Sequence, residues 1–203
     1  MEVARIDDGL WRWTAPHPDW RDGADWDRDV GCVYWEAPGA VVLVDPLVPT
    51  DPAERDRFLA ALDRDVERVG SPVEILLTCS WHDRSADEVA ERYDARVHPA
   101  FGGDPLPAGV SIVEAPTAEE IVLWLEGARA VVPGDILIGT DDGVSLCPES
   151  WLEGRGGMPE LLRDLAPLLD RPVERVLTSH GPPALADGRA LLQRAFGAAQ
   201  RPA

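Results

Sequence analysis

The sequence predicts an α/β fold, and three observations carry that prediction. Short apolar runs alternate along the chain with segments of helical periodicity. A polar cluster, CSWHDR at 79–84, sits where one apolar run ends and a helix begins, which is where open α/β folds place their sites. At 203 residues and 45% hydrophobic content, the chain suits a single domain, 1–203, with a real core.

The elements follow in order. Residues 2–14 alternate weakly and suggest an edge hairpin, and Ala15 to Asp29 reads as a polar loop anchored by Trp20 and Trp26. Val30 to Glu36 and Ala40 to Val44 are strands around a Pro38-Gly39 turn, the second ending at Asp45-Pro46. Asp51-Pro52-Ala53-Glu54 starts a helix, with an acceptor at the N-cap and proline in the first turn. Phe58, Leu59, Leu62, Val66 and Val69 are its apolar stripe. Ile75 to Thr78 is a buried strand, and Ser85 with Glu88 predicts a capping box on the next helix.

Beyond it come short strands at Arg96 to His98 and Val110 to Val113. A hairpin turns at Glu126-Gly127. Thr140 to Gly157, with Cys147 and Trp151, reads as a long loop and a lid. Met158 to Leu169 is an amphipathic helix, Val173 to Thr178 a strand, and Gly188 to Phe196 the last helix.

Charge narrows the partners. The net charge is −18, and all 19 basic residues are arginine. Nucleic acid and anionic membranes need a basic patch, so neither is an expected partner. The opening residues do not read as a leader, and no apolar run approaches the ~18 residues of a membrane span. Three scattered cysteines make no disulfide framework. The expected location is the cytoplasm, with a small molecule as partner; exposed tryptophans near the N-terminus would suit a homodimer.

Four landmarks, in order, resemble the metallo-β-lactamase fold superfamily. Val41 to Asp45 is similar to an early strand ending in aspartate. Thr78 to Arg84 occupies the place of a Thr-His-x-His-x-Asp-His motif. Pro133-Gly134-Asp135 resembles a Gly-Asp after a strand, and Thr178-Ser179-His180-Gly181 a late Gly-His-Gly turn. The resemblance implies a four-layer αββα sandwich of two mixed sheets flanked by helices. It also implies two metal ions about 3.5–4 Å apart that generate hydroxide for hydrolysis.

The ligands depart from that pattern. The motif's histidines fall on Cys79, Trp81 and Arg84, and a further one falls near Pro116, so that Asp83, Asp135 and His180 remain. Zinc takes three or four N, S or O ligands. A guanidinium and an indole N–H are donors only. The resemblance therefore implies a lost two-metal centre, with no cofactor expected; the alternative is one zinc or other divalent ion on Asp83, Asp135 and His180.

These three are the candidate catalytic residues, and Cys79, Trp81, His82 and Arg84 the candidate binding cleft. His82 either joins Cys79, Asp83 and His180 in a shifted single-metal site or is a hydrogen-bonded strand-end histidine. Cys79 is either a nucleophile with His180 as base or a small core residue. Asp45, by resemblance, is expected to support a ligand from behind or to pin a loop rather than to react. Arg84 is expected to reach into the cleft and pair with Asp83 or Asp135, with Trp81 filling the vacated volume.

Two functions stay open: a non-catalytic small-molecule binder, or a hydrolase of esters, thioesters or lactams using one atypical metal or a metal-free Asp/His site.

Overall fold

A computed structural model describes residues 1–152 and 154–200. The chain divides into two compact units, Met1–Gly109 and Val110–Ala203. Each carries its own mixed sheet and its own apolar cluster.

In the first unit six strands lie in sequence order: β1 (Glu2–Asp7), β2 (Leu10–Pro16), β3 (Asp29–Ala37), β4 (Ala40–Val44), β5 (Val73–Leu76) and β6 (Arg96–His98). β1 to β4 are antiparallel, with two-residue turns joining β1 to β2 and β3 to β4. β4, β5 and β6 are parallel, and each crossover carries a helix, α1 (Pro52–Val69) and α2 (Ala86–Tyr93). Alternation along the strands puts Trp13, Cys32, Tyr34, Val41, Leu43, Val73 and Ile75 into one cluster. Phe58, Leu59 and Leu62 of α1 and Ala86 and Val89 of α2 complete it.

Asp51 caps α1 as expected, its Oδ1 accepting the Glu54 N–H at 2.9 Å, and Gly70 ends the helix in the left-handed region. The expected capping box on α2 does not form. Ser85 has φ −107° and ψ 20°, not the extended backbone that aims a cap at its helix. Its Oγ instead accepts the Val48 N–H at 2.9 Å, and its own N–H donates to Pro46 O at 3.0 Å. Ser85 thus ties the segment after β4 to the start of α2. Glu88 pairs across to Arg55 of α1.

In the second unit β7 (Val110–Ala115), β8 (Glu120–Leu125), β9 (Ala130–Val132) and β12 (Arg175–Val176) form a sheet in the order β12-β9-β8-β7. β7, β8 and β9 are antiparallel, while β12 joins parallel to β9. The last strand is only two residues long, against the six expected.

The stretch read as a lid is not a plain loop. β10 (Leu137–Thr140) and β11 (Gly143–Leu146) form a hairpin, and Glu149–Leu152 is a 3-10 turn; Glu153 lies outside the described residues. Apolar residues explain the difference: Leu137, Cys147 and Leu152 are core, and Val144 and Leu146 pack against it. α3 (Met158–Leu165) and α4 (Gly188–Ala199) add Leu161, Leu162, Leu165, Leu192, Ala195 and Phe196 to the same cluster. Among the described residues no helix is long and apolar enough to cross a membrane.

Candidate functional site

Two clusters of reactive side chains stand out, one in each unit. The first is built on Asp45, the residue that ends β4. It is 2% exposed and left-handed, at φ 47°. Its Oδ1 accepts the Thr78 N–H at 2.9 Å, and its Oδ2 accepts the Thr78 hydroxyl at 2.5 Å. The same Oδ2 lies 3.0 Å from Nδ1 of His82, which is buried. The end of β4 thereby holds the loop that follows β5, the loop-pinning role expected of it.

Arg84 completes the cluster. It too is left-handed, at φ 39°, in a region that non-glycine residues seldom adopt. Its Nη1 donates to Gly31 O at 3.2 Å and Asp45 O at 3.1 Å, and lies 3.7 Å from Cys32 Sγ. Its Nη2 is 3.0 Å from Nε2 of His82.

A guanidinium only donates, so Nε2 of His82 is the acceptor there and the ring proton sits on Nδ1. That proton goes to Asp45. The chain of contacts therefore runs carboxylate, neutral imidazole, guanidinium, with each hydrogen bond in one consistent direction.

The motif residues separate by burial. Cys79 is fully buried at the strand end, as a small core residue would be. Asp83 is exposed, and its Oδ1 accepts the main-chain N–H of Arg84 at 2.8 Å. Trp81 is 41% exposed, which corrects the expectation that it fills a vacated volume. Cys79 and His82 take the inward positions, His82 held there by Asp45, while Trp81 lies in the turn between them. Among the partners that the Arg84 guanidinium holds are main-chain oxygens and an imidazole.

The second cluster is built on Asp135 and His180. His180 Nε2 is 3.2 Å from Asp135 Oδ1, and the Trp151 ring meets the imidazole edge-on at 5.7 Å between centroids. Backbone packing sets the position of His180. Its carbonyl accepts the Gly139 N–H of β10 at 2.9 Å. A Cβ on Gly139 would come within 1.8 Å of Pro182 O, and one on Gly181 within 2.1 Å of Gly139 O. Gly181 is also at φ 73°. Only glycine lets the turn at 180–182 lie this close against β10.

Sequence reasoning missed Glu120. It is 4% exposed at the start of β8, and its Oε2 accepts the Asp135 N–H at 2.8 Å. A glutamate directly abutting the apolar run IVLWL was the available signal. Burial, and then the nearby charges of Glu120 and Asp135, push the Cys147 thiol up to about 12. Pro116, where a further family histidine would fall, opens a 3-10 turn after β7. His98 is structural, buried with Nε2 at 2.6 Å from Glu74 Oε2, and His17 packs its ring on Trp26.

These donors do not suit the metal centre that the fold implies. In the first cluster both nitrogens of His82 are engaged, one by a carboxylate and one by a cation. In the second, Asp135 and His180 supply two donors where zinc takes three or four. Among the described residues no group of three or more His, Cys, Asp or Glu side chains could hold a metal ion.

No protein-family model matches the chain, and no curated protein does either. Solved structures do. A metallo-β-lactamase from Erythrobacter litoralis is 14% identical with a TM-score of 0.59, covering 98% of this chain and 91% of its own. The metallo-β-lactamase FIM-1 from Pseudomonas aeruginosa, in a mono-zinc form, is 15% identical with a TM-score of 0.60, covering 98% and 94%. A metallo-β-lactamase family protein from Thermus thermophilus is 19% identical with a TM-score of 0.52, covering 97% and 81%. At such identities the likeness establishes architecture and not activity. This chain has the metallo-β-lactamase fold.

Proposed function

We propose that this chain is a metallo-β-lactamase-fold protein that has lost most of its metal ligands and binds a small molecule without catalysing its hydrolysis. The observation that carries this reading is the arrangement at His82. The one histidine inside the motif gives its Nδ1 proton to Asp45 and takes a hydrogen bond from Arg84 at Nε2. A metal ligand needs a free lone pair, and no lone pair of this ring is left to give. In this reading no cofactor is needed, Asp83, Trp81 and Arg84 belong to the binding region, and the protein works in the cytoplasm. The net charge of −18 weighs against nucleic acid as a partner.

A second reading keeps hydrolysis, and one contact favours it. Asp135 Oδ1 and His180 Nε2 are 3.2 Å apart, which sets a carboxylate beside an imidazole, the residue types of a general-base pair. That pair would serve a metal-free site, or supply two of the donors to a single atypical ion. FIM-1, which has this fold, has been solved in a mono-zinc form, in keeping with a single ion.

One experiment separates the two. The protein is purified without added metal, its zinc is counted by elemental analysis, and ester, thioester and lactam substrates are offered with and without zinc. Far less than one zinc per chain, together with no turnover, supports the binding reading. Close to two transition metals per chain, or turnover abolished by His180→Ala, overturns it.

A further inference from the structure

We infer that the Arg84 guanidinium is an internal cation that closes the motif loop and keeps divalent metal ions off His82. This rests on the binding reading and deepens it, by naming the group that stands where an ion would act.

The geometry carries the inference. A metal ion in such a loop would do two things: join segments distant in sequence, and take the lone pair of an imidazole. The guanidinium does both. It joins β3 at Gly31 O, the end of β4 at Asp45 O, and the motif loop at His82 Nε2, spanning segments 53 and 39 residues away. It takes the imidazole lone pair by donating a hydrogen. The carboxylate that orients a metal-bound histidine through its other nitrogen is present too, as Asp45 on Nδ1. The imidazole is thus oriented as a ligand would be, yet faces a fixed positive charge at 3.0 Å.

A divalent ion approaching Nε2 would have to displace that charge. Displacement breaks the contacts to Gly31 and Asp45 and leaves their carbonyls without this donor. The left-handed backbone of Arg84 and Asp45 is held by those same contacts, so the loop would lose its brace together with its cation.

The test uses the full chain, labelled with 15N, and reads the His82 ring nitrogens directly. In the wild type the spectra should show the proton on Nδ1, and equimolar zinc should leave both nitrogens unmoved. Arg84→His removes the cation and supplies an imidazole. Zinc should then reach His82 at least about tenfold more tightly, as expected for losing a unit charge this close at an effective dielectric of about 20.

An Nε2–H tautomer, or a zinc-induced shift of Nε2 in the wild type, overturns the inference. So does a folded Arg84→His chain that binds zinc at His82 no better than wild type. If that variant does not fold, the wild-type spectra decide alone. Hydrolytic turnover by a wild-type chain whose His82 ignores zinc would sink the binding reading and leave this inference standing.

Discussion

Replacing Asp45 by asparagine tests the reasoning most sharply, because the change is almost isosteric and the left-handed backbone suits asparagine well. Only charge and hydrogen-bond direction change. The wild-type carboxylate accepts three donors: the Thr78 N–H, the Thr78 hydroxyl and the His82 Nδ1–H. An amide has one acceptor oxygen, and neither orientation of it works. With the NH2 at the first position, it opposes the Thr78 N–H. With the NH2 at the second, it opposes the His82 Nδ1–H. Moving that proton to Nε2 only sets it against Arg84 Nη2, 3.0 Å away.

A hydrogen bond to a charged group contributes about 1.5–3 kcal/mol, and an orphaned buried donor costs a further ~1–3 kcal/mol. Asp45→Asn should therefore cost about 3–5 kcal/mol, a large part of a typical domain's ~5–15 kcal/mol. Urea unfolding followed by circular dichroism should show the midpoint lower by roughly 1–2 M with the slope unchanged. Adding Arg84→Met removes the final clash, so the pair should be less than additive by about 1 kcal/mol or more. An Asp45→Asn chain within about 0.5 kcal/mol of wild type, well below the cost of one orphaned donor, would refute the network as described.

Three further outcomes are expected. Gly139→Ala should destabilise by about 3 kcal/mol or more, since its Cβ would meet Pro182 O at 1.8 Å, and the His180 resonances should shift as the turn is pushed off β10. A thermal melt and a histidine NMR spectrum check both effects. All three cysteines are buried, and burial raises the thiols of Cys32 and Cys147, the latter to about 12. A disulfide reagent at pH 8 should therefore label the native chain slowly and take up three equivalents only after unfolding.

The third outcome concerns Asp63. The hydrogen bond from Arg92, and then the one from Tyr93, hold its carboxyl below the usual range. A lowered folded value stabilises the native state above the unfolded value, near 3.9, and this contribution is lost as pH falls through the folded one. The pair is about two-fifths exposed, so Asp63→Asn should cost at most about 1 kcal/mol at pH 7 and nothing below about pH 3. A difference that grows on acidification would contradict that sign.

The sequence by itself determined which elements form and in what order. Apolar runs, helical stripes, the Asp51 cap and the glycine turns act over a few residues, and α1 to α4 and most strands appear where those signals put them. The four landmarks pointed to the metallo-β-lactamase fold, and the residues at the motif raised the expectation that its histidines are missing.

Only the tertiary structure decided what the remaining residues do. Ser85 looks like a cap in sequence, but its hydroxyl is taken by Val48, 37 residues away. Arg84 offers a charge whose partners cannot be read along the chain, and carbonyls from Gly31 and Asp45, 53 and 39 residues away, are among those it holds. His82 reads as one place out of register with a ligand, and it is Asp45, contributed by another strand, that turns it inward. Glu120 becomes a partner of Asp135 because strand pairing in the second unit brings their segments together. Backbone propensities are local and can be read along a chain; the pairing of donors with acceptors is fixed by contacts between segments that only folding brings within about 3 Å.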